Sequence, residues 1–143
     1  MLFVEEIMIE VNNLIKSRIS PGFSKSVIQK IKKKMKIKRE VDISIALVSE
    51  RTIRRLNKIY RGIDEVTDVL SFNYSDFQYP KVISGEIVIC YPKIKKQAKK
   101  IGHSIKREME ILLIHGMLHL LGYNHITKKE KERMGELEKR LLV

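Results

Sequence analysis

Apolar positions along the chain fall into alternating and helical stretches with only short polar breaks between them. Residues 3–11 alternate, with Ile7, Ile9 and Val11 on one face, and predict a strand. Ser20-Pro21-Gly22 reads as a break. Residues 24–38 then place Ile28, Ile31 and Met35 on one side and lysines on the other, the pattern of an amphipathic helix. VDISIALV at 41–48 is β-branched and apolar, a second strand. Residues 50–60 predict a helix with Ile53, Leu56 and Tyr60 inward and Arg51, Arg54, Arg55 and Lys58 outward. VTDVLSF at 66–72 predicts a third strand, followed by a polar and aromatic loop to Pro80. GEIVIC at 85–90 predicts a fourth.

Pro92 suits the first turn of a helix reaching about Lys100 and closed by Gly102. Ser104 is placed to cap a long helix to Leu121, nearly all apolar after Met109, and such a helix belongs in the core. Thr127 with Glu130 is a capping-box signature for a last helix whose inward stripe is Met134, Leu137 and Leu141. Interspersed strands and helices predict an α+β domain: a small, about four-stranded mixed sheet packed with helices.

Composition narrows the setting. A chain of 143 residues makes one domain, 1–143, large enough to bury a core without staples. No apolar run is long enough to span a bilayer, and the early glutamates of MLFVEEIMIE do not fit a secretion signal. The single cysteine, Cys90, excludes an internal disulfide and fits a reducing compartment, so a cytoplasmic location is expected. The formal charge of +12 favours a polyanionic partner. Charge by itself identifies no binding face, and the lysine-rich helix at 25–39 reads first as a solvated surface.

The candidate chemistry lies in HGMLHLLGYNH at 115–125, which holds three of the four histidines. His115 and His119 are four apart and share a helix face. Gly122 can take the left-handed conformation that ends the helix and turns the chain, bringing His125 back towards them. Three converging imidazoles suit one zinc per chain, or another divalent ion, with a position left open for water. A closed thiolate site is excluded by the lone cysteine. The spacing His-x-x-x-His-x-x-Gly-x-x-His is also that of metzincin proteases, but their general-base glutamate is here Gly116, so a peptidase is disfavoured.

The histidine run resembles the YbeY family of endoribonucleases and ribosomal RNA maturation factors. The resemblance extends, in order, through Leu56-Asn57, Tyr60-Arg61-Gly62, Thr67 to Phe72 (TDVLSF), Gly85-Glu86-Ile87, Gln97-Ala98, Gly102-His103-Ser104 and Arg107-Glu108. The chain departs from the family pattern at Asn73, where proline is usual, and at Glu86 and Asn124, where aspartate is usual. Asn124 keeps a hydrogen-bonding oxygen and loses a charge.

The resemblance implies that His115, His119 and His125 are zinc ligands. It implies that Arg61 serves catalysis and RNA binding by contacting phosphate, for which a planar guanidinium is suited. Without it, Arg61 reads as a helix-end residue capping the last carbonyls. The implied function is zinc-dependent, single-strand-specific cleavage of RNA in ribosomal RNA maturation and ribosome quality control, with ribosomal RNA and the ribosome or its proteins as partners. The alternative is a zinc-stabilised, ribosome-associated assembly factor without strong nuclease activity. Asp68 is a candidate proton acceptor or a strand-end hydrogen-bonding residue. Glu108 shares roughly the face of His115 and is either its orienting partner or half of an ordinary ion pair. His103 reads as structural.

Overall fold

A computed structural model describes residues 7–15, 17–74 and 81–142, which form four strands and five helices. In chain order they are β1 (Ile7–Asn13), α1 (Pro21–Lys34), β2 (Glu40–Val48), α2 (Glu50–Arg61), β3 (Val69–Asn73), β4 (Val82–Cys90), α3 (Tyr91–Ile101), α4 (Ile105–Leu120) and α5 (Lys128–Leu142). The sheet runs β1-β2-β4-β3, with β1, β2 and β4 parallel and β3 antiparallel to β4. The α+β class and the mixed four-stranded sheet expected from the pattern are both present. No helix among the described residues is long and apolar enough to cross a membrane.

Strand periodicity divides the core. Odd-numbered residues of β2 (Val41, Ile43, Ile45, Leu47) and of β4 (Ile83, Ile87, Ile89) point to one face. There they pack with Ile28 and Ile31 of α1, Ile94 of α3, Met134 and Leu141 of α5, and above all α4. Even-numbered Ala46, Val48, Val88 and Cys90 meet Ile53 of α2 and Leu70 of β3 on the other face. α2 therefore covers only the C-terminal end of the parallel strands, and Asp42, earlier in β2, faces solvent. In α4, nine of sixteen residues are buried, which places the helix at the centre of the larger core.

Several boundaries differ from expectation for identifiable reasons. Ser20-Pro21-Gly22 does not separate elements but starts α1, with Pro21 in the first turn, where its missing N–H is not needed. α1 ends at Lys34, earlier than expected, because Lys36 adopts a left-handed φ of 53° and Ile37 N–H turns back to the Lys32 carbonyl. β4 begins at Val82, ahead of Gly85, and pairs with β2 along its full length. β3 begins at Val69, three residues later than expected. Tyr60 is 59% exposed rather than inward, since the last turn of α2 overhangs the sheet, and its ring meets Phe72 edge-on at 5.2 Å. Residues 3–6 of the expected first strand, and most of the loop to Pro80, lie outside the described residues.

Candidate metal centre and active site

Ser104 caps α4 by accepting the Arg107 N–H at 3.1 Å, as the pattern predicted. At the other end Gly122 takes φ 96°, and the N–H groups of Gly122 and Tyr123 return to the carbonyls of His119 and Leu118, both at 3.0 Å. Asn73 of β3 also reaches the Leu120 carbonyl, at 3.5 Å. The exit of α4 is thus held from both sides, and His125 swings back onto the helix. Donor nitrogens of His115, His119 and His125 all lie within 4.8 Å of one another.

Hydrogen bonds fix how two of these rings point. His115 Nδ1 lies 2.9 Å from Glu138 Oε1, and His119 Nδ1 lies 3.0 Å from the Tyr123 carbonyl. A carboxylate and a carbonyl only accept, so each Nδ1 carries the proton and donates. Both Nε2 atoms are then left with lone pairs, and these face each other at 3.1 Å. Two bare lone pairs at that distance repel; a shared cation converts the repulsion into ligation. The spacing is close to the edge of a tetrahedron built on bonds of about 2.0–2.1 Å. The residues therefore fit a divalent metal, with the outward hydrogen bonds that metal-binding histidines characteristically make. Burial, reinforced by the neighbouring His115 and His125, holds the His119 pKa below its ordinary value, which keeps its lone pair available near neutral pH.

The histidines line an open hollow of about 440 Å³ together with Arg61, Asp68 and Ser71. α4 approaches β3 and β4 closely here because position 116 has no side chain. A Cβ at Gly116 would lie 3.1 Å from Ile87 carbons and from Ser71 Oγ. The peptidase glutamate is thus absent from the sequence, and a side chain at this position would press on Ile87 and Ser71.

Arg61 reaches this hollow from the end of α2. It does not cap its own helix; Gly62, at φ 72°, does so by donating to the Lys58 carbonyl. Instead Arg61 Nη2 donates to the Ser71 carbonyl at 2.7 Å, and its guanidinium carbon sits 5.2 Å from the Phe72 ring centre. One edge of the guanidinium is anchored on β3, and the group remains exposed to the hollow. Asp68 lines the same hollow, and its backbone carbonyl accepts Cys90 N–H at 2.9 Å.

Glu108 does not orient His115. Its carboxylate pairs with His103, one turn before the buried part of α4. Seven residues rise about 10.5 Å along the helix axis, which is out of a carboxylate's reach of the His115 ring, and Glu138 of α5 takes the orienting place instead. Glu138 was missed because nothing local places α5 beside His115. A signal existed nonetheless: Glu138 stands four residues after Met134 and three before Leu141, a carboxylate at the border of an inward apolar stripe. Asn124 is exposed and makes no hydrogen bond among the described residues. Glu86 accepts from the Tyr74 hydroxyl at 3.3 Å, away from the histidines.

A mixed sheet carrying a buried helix, three convergent imidazoles on its exit and an arginine across the hollow define an α+β protein with a three-histidine cluster that could hold a metal ion. Residues 9–143 match the family described as endoribonuclease YbeY, and the chain belongs to that family. It is 45% identical over 112 residues to the endoribonuclease YbeY of Mycoplasmopsis synoviae, covering 76% of this chain and 72% of that one. It is 35% identical over 133 residues to that of Ureaplasma parvum, covering 93% and 86%. The solution structure of TM1509 from Thermotoga maritima superposes with a TM-score of 0.66 at 29% identity, over 94% of this chain and 87% of that one.

Proposed function

We propose that the protein is a zinc-dependent, single-strand-specific endoribonuclease acting in ribosomal RNA maturation and ribosome quality control, in the cytoplasm and in contact with the ribosome. One observation carries the reading: three imidazole nitrogens within 4.8 Å of one another share a hollow with an anchored arginine. His115, His119 and His125 hold the metal. A metal held there would supply Lewis acidity and would lower the pKa of bound water for hydrolysis of a phosphodiester. Arg61 binds a non-bridging phosphate oxygen and offsets charge that builds on phosphorus during attack. Its anchor on the Ser71 carbonyl presets the guanidinium, so less ordering is needed as the substrate arrives. Asp68 is the acidic side chain lining the hollow and accepts the proton of the attacking oxygen, while the P–O bond to the leaving oxygen breaks and that oxygen takes a proton from water. The 2′-hydroxyl distinguishes RNA at such a site.

Three protein ligands and an open hollow favour cleavage over the assembly-factor alternative, since a purely structural zinc closes its shell with four. The test is metal content by mass spectrometry, together with cleavage of a single-stranded ribosomal RNA fragment by wild type, Arg61→Ala and His115→Ala. About one zinc per chain is expected, with cleavage lost in both variants and metal lost only from His115→Ala. One zinc with no cleavage above the variants would establish the assembly factor instead.

A further inference from the structure

Four of the nine arginines stand on α2, a helix of twelve residues. α1 carries five lysines and no arginine, and the basic residues of α3 are all lysines. This segregation goes beyond net charge. Lysine is the economical way to solvate a helix, whereas the arginine fork is matched to phosphate. Arg51, Arg54, Lys58 and Arg61 are spaced three, four and three apart, so they make one stripe along the exposed face, with Arg55 beside it. The stripe spans about 15 Å. It ends on Arg61, the residue that lines the histidine hollow.

The surroundings support a path. Arg51, Arg54, Arg55 and Lys58 line a hollow of about 410 Å³ walled by Val66, whose chain neighbour Thr67 lines the histidine hollow. A second hollow, across Val66, is lined by Lys93, Lys96 and Lys100 of α3. The two carboxylates that line these hollows are already engaged: Asp64 pairs with Arg54 and Glu50 with Lys96, both at 2.9 Å, while the exposed Glu65 lines neither hollow. Arg51, Arg55 and Lys58 have no carboxylate at ion-pair distance among the described residues.

We propose that the α2 stripe is a phosphate track that leads single-stranded RNA into the three-histidine hollow. This rests on the reading of that hollow as an RNA-cleaving site. A strand seated there places one phosphate at Arg61 and the flanking phosphates along Lys58, Arg55 and Arg51. Contacts are to the backbone and carry no base readout, so the track contributes affinity and direction rather than sequence preference.

The test compares the metal-loaded wild type with an Arg51→Gln/Arg55→Gln/Lys58→Gln variant and with a Lys25→Gln/Lys33→Gln/Lys36→Gln control on the α1 side. All six positions are exposed, so folding is retained. Binding of a 2′-O-methylated single-stranded 12-mer RNA is followed by fluorescence anisotropy across salt concentrations. The α2 variant is expected to bind at least about tenfold more weakly near 50 mM salt, with a log–log salt slope reduced by about 2, as for three lost phosphate contacts. The control is expected to stay close to wild type, and the α2 variant to cleave unmodified 12-mer with raised KM and little changed kcat. Equal losses in both variants would mean diffuse attraction and overturn the track. Unchanged binding in the α2 variant would also overturn it and leave the stripe to an acidic protein partner. A wild type that binds but never cleaves would defeat the nuclease reading alone, since the binding comparison needs no cleavage.

Discussion

α4 and α2 both bring side chains to one hollow, and they do so in opposite ways. α4 is buried along most of its length and contributes two imidazoles where its last turns emerge. α2 buries little beyond Ile53 and Asn57 and contributes through its exposed face. Ligands for a metal need fixed geometry, and a helix packed on several sides cannot shift without disturbing the core. A polyelectrolyte needs charge at roughly the right spacing and tolerates side-chain motion. The contrast teaches where damage should register: around α4 in stability and metal binding, on α2 in substrate affinity.

The strongest way to break this contrast is to lift α4 from the sheet without touching a ligand. A Cβ at Gly85 would stand 2.6 Å from the Phe72 carbonyl oxygen and from a Leu120 methyl, so β3 or the end of α4 must move. Gly85→Ala is expected to cost about 1–3 kcal/mol in chemical denaturation and to weaken zinc binding while RNA affinity of the metal-free protein holds. Full retention of zinc affinity would show that the exit of α4 is not held by this packing.

A narrower test removes only the orienting carboxylate. Glu138→Gln keeps the shape of the side chain and removes its charge beside His115 Nδ1. Zinc affinity, measured by competition with a chromogenic chelator, is expected to fall about 10–100-fold. The α2 salt slope should not move. An unchanged affinity would demote Glu138 to a bystander on the surface of α5.

The same contrast explains what could be read from the chain. Features fixed within one helix or its cap were legible: the shared face of His115 and His119, the Ser104 cap, the Gly122 reversal and the Arg51–Lys58 stripe. Features set by how elements meet were not. Glu138 needs α5 packed beside α4, and the Arg61–Ser71 bond needs the end of α2 laid over β3. Tyr60 fits the apolar period of α2 yet meets Phe72 of the outermost strand edge-on, which leaves its ring largely exposed. Gly85 read as the start of a strand, whereas it is an interior position left small for Leu120. Family motifs supplied Arg61 as a site residue, but no residue pattern foretold what would anchor it.

The smallest expected effect concerns acid, and it isolates one of the three histidines. The His119 pKa lies below its ordinary 6.5 because burial and the two neighbouring imidazoles disfavour its cation. Below pH 6.5 the unfolded chain therefore takes up a proton at this position more readily than the native state does. Stability from this group is present above pH 6.5, falls as the pH drops through that value, and levels once the pH passes below the folded pKa. In chelator-treated protein, Tm should decline across this window by less than the Gly85→Ala loss. The variant His119→Asn retains an N–H donor for the Tyr123 carbonyl and lacks the titrating ring. Its Tm should vary less than that of wild type between pH 7.5 and 5. If the two profiles run parallel, the acid sensitivity belongs to other groups and His119 is not held neutral by its surroundings.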